Sequence, residues 1–495
     1  LTPQPTLVAR PDIAIDRRWL VWGLGALTLF RLAAAGLTPL TEDEAYYRLW
    51  SLRPQFGYYD HPPMIAWWIW LGRGLVGDTA LGVRLLPVLG ATLTTLLLFD
   101  AARLAGFRAR VAVRAGLWFN AALMIGVGCL LAVPDAPSTL FWMATLWSLL
   151  KARATGRPLW WLLAGAAAGL ATLSKYSALF LAPGVLLWLV ASPEGRAALR
   201  RPWPWLTAAV AVALFGLNVA WNAGHHWASF TKQFGRAVPH GMTLRYLGEL
   251  LLVQPVLLNP LVAVFAWRLF DPAWLHRRGW DLGLFAATTA PFALYLVLHS
   301  LHDRVQQGWS APLAAALALA AAVAAEDVRP GAVLDGVRRL AAPVGLGLGA
   351  LALAYAASGL DLLGPKDPTL PLRGWPAFAR AVEAARVRTG AAWVGTLSYG
   401  TAAQLAARPE VHAPVLQLDE RERYVFLPES GADMAKPGLV VDLVRRDGQG
   451  PLKTCFSDVT AEPPLLRGPA RSLKQTYAVW RVQGARADVQ GGCSQ

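Results

Sequence analysis

Apolar residues fill the first three quarters of the chain in runs of about 15–23, the length a helix needs to cross a hydrocarbon core ~30 Å thick. Short polar or charged gaps separate the runs. The pattern predicts eleven spans, at 19–39, 82–103, 114–132, 136–151, 159–174, 177–191, 204–221, 247–267, 281–299, 309–325 and 341–360. Beyond that the pattern changes. Pro365, Pro368, Pro371 and Pro376 interrupt the chain, and helical spacing then predicts a helix over 377–388. Short β-rich runs predict strands at 391–397, 424–427, 439–444 and 476–482. The expected fold is an all-α polytopic membrane domain, residues 1–360, followed by a small α/β extracytoplasmic domain, residues 361–495. Two longer outer-face loops, 40–81 and 222–246, break the helical series. No internal repeat is visible.

Composition agrees with this pattern. The chain is 55% hydrophobic and only 16% charged, where a soluble protein carries roughly 25% charge. The net charge of +15 does not point to nucleic acid. Its basic residues sit in short clusters between apolar runs, among them Arg17-Arg18, Arg108 and Arg110, Arg200-Arg201, Arg277-Arg278 and Arg338-Arg339. Clusters of this kind mark cytoplasmic loops. The amino terminus is then cytoplasmic, and eleven spans put the tail outside; few lysines and many arginines suggest a bacterial source and hence an inner membrane with a periplasmic tail. The first run resembles a secretory signal but reads as a retained span, with Arg31 near the outer interface. Trp67, Trp68 and Trp70 suggest that loop 40–81 lies along the membrane surface as short amphipathic helices. Cys455 and Cys493 could pair in an oxidising compartment, and the sequence does not decide it.

The charges that matter lie where predicted spans meet the outer face. Asp43 and Glu44 follow the first span, Asp60 and His61 precede Pro62-Pro63, Asp135 sits in the tight gap before the fourth span, and Lys175 lies in a later gap. A charge at the centre of a membrane helix costs about 2.5–3.5 kcal/mol, so a shared outer-face position suggests a shared site. A carboxylate there could take a proton from an attacking hydroxyl. Asp60 and Asp135 could hold a divalent cation. Lys175, Arg84, His61 and Arg304 could stabilise a departing phosphate, with Tyr59 and His225 as further contacts. The plain alternative is that these are interfacial charges holding loops in place.

At these residues the chain resembles the bacterial branch of the GT-C glycosyltransferases, the family of protein mannosyltransferases and of the lipid A aminoarabinose transferase. The resemblance rests on Thr41-Glu42-Asp43-Glu44-Ala45-Tyr46-Tyr47, Gly57-Tyr58-Tyr59-Asp60-His61-Pro62-Pro63 and Gly82-Val83-Arg84-Leu85. It continues through Pro134-Asp135, Leu173-Ser174-Lys175-Tyr176, Trp221-Asn222 and Ser398-Tyr399. It implies transfer of one sugar from a polyprenyl-phosphate donor to a lipid or glycan acceptor on the outer face, by a single inverting displacement. Asp43 falls on the family's general base. His61 stands where the aminoarabinose branch has lysine and the mannosyltransferase branch histidine.

Two other readings remain open at this level. Protein O-mannosylation is a close variant. A transporter or lipid flippase is a different class, but would want midplane charges and paired repeats. Membrane lipids are expected neighbours in every case. Gly345-Leu346-Gly347-Leu348-Gly349 lies inside a predicted span and reads as close helix packing rather than a nucleotide loop. Tyr399 reads as packing within the tail.

Overall fold

The computed structural model describes residues 13–236, 241–424, 426–427, 431–444, 449–468, 475–486 and 493. Helices run back and forth through residues 13–358, and each predicted span overlaps one. Four helices are long and apolar enough to cross a membrane: Ala80–Leu104, Pro202–Ala223, Trp280–His299 and Val333–Ser358. The number rises to eight if each of four bent helix pairs is one span. Eleven were expected. The remaining three stretches fall short for visible reasons. Helix Asp135–Thr155 carries Ser138, Thr139, Thr145 and Ser148, buried among its neighbours, and these hydroxyl residues lower its overall hydropathy. Helix Pro158–Thr172 has 15 residues, and Ala314–Ala324 has 11, with a 3₁₀ turn at each end.

Helix Asp135–Thr155 sits at the centre, packed on Ala80–Leu104 and Pro158–Thr172. The glycine pattern at 345–349 does bring helices together. A Cβ on Gly345 would lie 2.2 Å from the Ala121 carbonyl oxygen, and one on Gly349 would lie 3.8 Å from Gly126. Arg31 packs inside the helical domain. It is buried between helices, donating from Nη1 to Asn120 Oδ1 at 2.7 Å. An arginine facing lipid would lose its water without gaining a partner.

After the first span the chain turns by 90° into helix Glu42–Trp50. A capping box starts this helix. Thr41 Oγ1 accepts from the Glu44 N–H, and Glu44 Oε2 accepts from the Thr41 N–H. A second outer helix, Met64–Val76, packs back on Ala80–Leu104. Short helices were expected in loop 40–81, and these are what it forms.

The tail is the expected α/β domain. Helix Trp375–Arg388 packs on a five-stranded sheet of order β2-β1-β3-β5-β4. Its strands are β1 Trp393–Thr396, β2 Val415–Gln417, β3 Gly438–Leu443, β4 Phe456–Arg467 and β5 Gln475–Ala485. β1 pairs parallel with β2 and β3, while β5 is antiparallel to β3 and β4. β2 and β4 were not foreseen. The expected strand at 424–427 is not found as such. Residues Arg421–Tyr424 form a 3₁₀ turn, and residue 425 lies outside the described residues. Cys455 and Cys493 are joined by a disulfide. The domain rests on the outer helices through helix Tyr399–Ala406, and Ala403 and Phe426 bury against Tyr46, Trp50 and Tyr58.

Candidate functional site

A cavity of about 970 Å³ opens where the outer helix ends meet the tail domain. Asp43, Asp60, His61, Asp135, Lys175 and Arg304 all line it. Six of the expected residues, from five distant stretches, therefore share one space. Each arrives by a local device. Asp43 is in the first turn of Glu42–Trp50, and Asp135 opens Asp135–Thr155. The partial positive charge of a helix amino terminus favours an acidic residue there. Lys175 sits in extended backbone between Pro158–Thr172 and the next turn. Pro62 and Pro63 end the Asp60 loop at the start of Met64–Val76.

Two of the three central carboxylates are bound to cations. Lys175 Nζ lies 2.6 Å from Asp135 Oδ1, with the ammonium over the Trp309 ring. Arg423, from the tail, pairs with Asp60, and the Tyr46 hydroxyl donates to the same Asp60 oxygen at 3.0 Å. Asp43 differs. It is exposed to the cavity, and its hydrogen-bond partner is a phenol, with Tyr399 Oη 2.8 Å from Oδ1. Burial by the cavity walls raises the Asp43 pKa above the usual carboxylate value, and the Tyr399 hydrogen bond opposes the rise. Asp60 and Glu44 add to it, and Arg423 lowers it. His61 is held well below the usual imidazole value by burial, then by Lys175, Arg236 and Arg423. Its ring is neutral near pH 7 and offers a hydrogen bond rather than a charge.

The other expected residues lie elsewhere. Glu44 and Arg84 do not reach the cavity. Both side chains are fully buried and bound to each other, with N–O distances of 2.6 and 2.7 Å. Arg84 also donates to the carbonyls of Ala35, Thr38 and Pro39, and Glu44 accepts from the Ala132 N–H at 3.0 Å. The geometry makes them a brace between the first span, the outer helix and the 131–134 turn. Arg304 reaches the cavity but is half exposed and paired with Glu249 at 2.9 Å. Tyr59 and His225 line a neighbouring cavity of about 1080 Å³. There His225 stacks on Trp221, with ring centroids 4.0 Å apart. The metal expectation rested on Asp60 and Asp135 alone. Among the described residues no three His, Cys, Asp or Glu side chains gather as a metal site. Asp60 and Asp135 are each already neutralised by a side-chain cation.

Three site residues were missed or misread. Tyr399 was read as packing but bonds Asp43. Arg423 lies in the run Glu420-Arg421-Glu422-Arg423, where alternating charge looks like a solvated surface. Arg236 lines both cavities and has no ion-pair partner among the described residues. A lone arginine in an outer loop carried no signal beyond its charge.

Comparisons with known proteins bear on the fold. A family model described as dolichyl-phosphate-mannose-protein mannosyltransferase matches residues 60–221. The lipid A galacturonosyltransferase RgtD of Rhizobium johnstonii is 31% identical over 205 residues, or 40% of this chain and 42% of that protein. The match thus spans less than half the length of this curated relative. ArnT from Cupriavidus metallidurans, bound to undecaprenyl phosphate, superposes with a TM-score of 0.66 at 14% identity, over 93% of this chain and 98% of its own. The archaeal oligosaccharyltransferase AglB from Archaeoglobus fulgidus gives a TM-score of 0.51 at 12% identity, over 87% and 70%. At these identities the structural likeness establishes the fold. The chain thus has the fold of these membrane glycosyltransferases, and over part of its length its sequence is similar to the mannosyltransferase family model and to RgtD.

Proposed function

We propose that the chain transfers one sugar from a polyprenyl-phosphate carrier to a hydroxyl of a lipid acceptor, at the periplasmic face of a bacterial inner membrane. The observation that carries this reading is the state of Asp43. Among the described residues no side-chain cation is bonded to it, whereas Asp60 and Asp135 each have one, and it is exposed to the cavity. A carboxylate with a raised pKa is a better proton acceptor than an ordinary one.

In this mechanism the acceptor oxygen attacks the anomeric carbon as Asp43 takes its proton. The bond between that carbon and the phosphate oxygen breaks, and the polyprenyl phosphate leaves with the electron pair. Lys175 and Arg236 offer it positive charge, and His61 a neutral N–H. The attack from the face opposite the phosphate inverts the anomeric centre. A positioned base contributes typically about 10²–10⁴-fold, and stabilisation of the departing charge about 10²–10³-fold.

The carrier class is supported by the ligand of the ArnT structure, and the lipid acceptor by the activity named for RgtD. The disulfide supports an oxidising compartment for the tail, and the basic loops at the opposite helix ends support the orientation. The family model's name favours one second reading, protein O-mannosylation. Mass spectrometry of lipids and envelope proteins, from cells with and without the chain, tests both. A glycolipid losing one sugar unit supports the proposal, and loss confined to glycoproteins supports the second reading. No change in either, or unchanged transfer by Asp43→Asn, refutes the proposed mechanism.

A further inference from the structure

The tail domain places a side chain directly on the proposed base. Tyr399 Oη donates to Asp43 Oδ1 at 2.8 Å, across 356 residues of sequence. Its ring is held on several sides. The Arg423 guanidinium lies 4.6 Å from its centroid and the Tyr46 ring 5.1 Å. Its backbone carbonyl accepts from the Tyr424 hydroxyl at 2.8 Å. Ser398 caps the helix that Tyr399 begins. The next residue, Gly400, allows the close approach. A Cβ there would lie 2.6 Å from Glu42 Oε2 and 2.8 Å from Glu42 Cβ. Other bonds hold the same interface. Gln404 Nε2 donates to the Leu40 carbonyl at 2.8 Å, and Lys232 pairs with Glu420 at 3.0 Å.

A packing contact alone would not require a hydroxyl here. The phenol lies on the one central carboxylate that no cation holds among the described residues. We propose that Tyr399 is a positioning residue for Asp43, so that the tail domain completes the active site and transfer requires its docking on helix Glu42–Trp50. The inference rests on the glycosyltransferase reading. The hydrogen bond fixes one Asp43 oxygen and leaves the other for the acceptor hydroxyl. It also offsets part of the burial that raises the Asp43 pKa, where Asp60, Glu44, Arg423 and Tyr47 are the other ionisable groups facing it.

The test is turnover against pH for the full-length protein in detergent or vesicles, with a polyprenyl-phosphate sugar as donor. Tyr399→Phe keeps the ring and removes the bond. Turnover is expected to fall by about 10- to 100-fold, the scale of one lost hydrogen bond to a charged group. The acid limb should move to higher pH, because the interaction that lowers the Asp43 pKa is gone. The donor KM should stay unchanged. Gly400→Ala is expected to move the limb the same way while keeping Tyr399, by pushing the tail off Glu42. Tyr399→Phe with wild-type turnover and acid limb overturns the inference. If that variant does not fold, an unmoved limb in Gly400→Ala overturns it instead. An active Asp43→Asn overturns the glycosyltransferase mechanism beneath it, a different result from an inactive Asp43→Asn beside an unaffected Tyr399→Phe.

Discussion

Replacing Arg84 by methionine separates a structural brace from a donor contact. Arg84 is fully buried and makes five hydrogen bonds, two to Glu44 and three to the carbonyls of Ala35, Thr38 and Pro39. Methionine fills much of the volume but leaves those three carbonyls without this donor. It also leaves the Glu44 carboxylate fully buried with only the Thr41 and Ala132 N–H groups. Breaking one side of a buried ion pair costs about 3–5 kcal/mol, and unpaired buried carbonyls cost about 1–3 kcal/mol each where water cannot reach them. The expected loss is therefore at least ~3 kcal/mol, felt at the joint between the first span and the outer helix. Melting in detergent should shift down by several degrees. The Thr41 and Ala132 amides should lose hydrogen-exchange protection. The double variant Arg84→Met with Glu44→Leu should recover part of the stability, since a buried pair replaced together is often tolerated. An Arg84→Met protein with wild-type melting and exchange, but a donor KM raised tenfold or more, would refute the brace and restore the phosphate-binding role.

Other outcomes follow from the same geometry. Lys175→Met should fold but lose about 10²–10³-fold in turnover, because it removes the leaving-group cation and strips Asp135 of its partner. Lys175→Arg should keep part of the activity, and wild-type turnover in Lys175→Met would rule out the assignment. His61 has a folded-state pKa held well below its ordinary 6.5 by burial and by Lys175, Arg236 and Arg423. The unfolded chain therefore binds that proton first, so the stabilising contribution is complete above about pH 6.5 and is lost as pH falls below it. Melting temperature followed from pH 7.5 to 5.5 should decline, and His61→Gln should flatten the decline. An identical slope in both proteins would contradict it.

The parts of this structure that were legible in the sequence are those governed by local solvation. Runs of apolar residues must become helices in a bilayer, because each unpaired backbone group there costs several kcal/mol. The helices, the short outer pair and the change of fold near residue 360 could therefore be read directly. Asp43, Asp60, Asp135 and Lys175 were legible because a charge at the end of an apolar run is rarely accidental. Glu44 and Arg84 carried the same signal and proved to satisfy each other instead. Pattern alone does not separate a charge facing a cavity from one facing a buried partner. β2 and β4 escaped for a related reason. β2 has three residues, and the edge strand β4 alternates polar groups with little burial along most of its length.

What the sequence by itself determined is the class of molecule: a helical membrane protein with ionisable groups collected at one face and a small mixed domain after it. Which groups meet was decided only by tertiary structure. Tyr399 and Arg423 reach Asp43 and Asp60 across more than 350 residues. No period or spacing encodes such a contact, because it depends on how the tail domain docks on helix Glu42–Trp50. The docking also gives Asp43 a neutral donor and Asp60 a cation, whereas Asp135 is held by Lys175 from within the helical domain. The physical reason is geometric. Ionic and hydrogen-bonding energies fall away within a few ångströms, so a residue's chemistry follows its neighbours in space, and those neighbours exist only once the chain has folded.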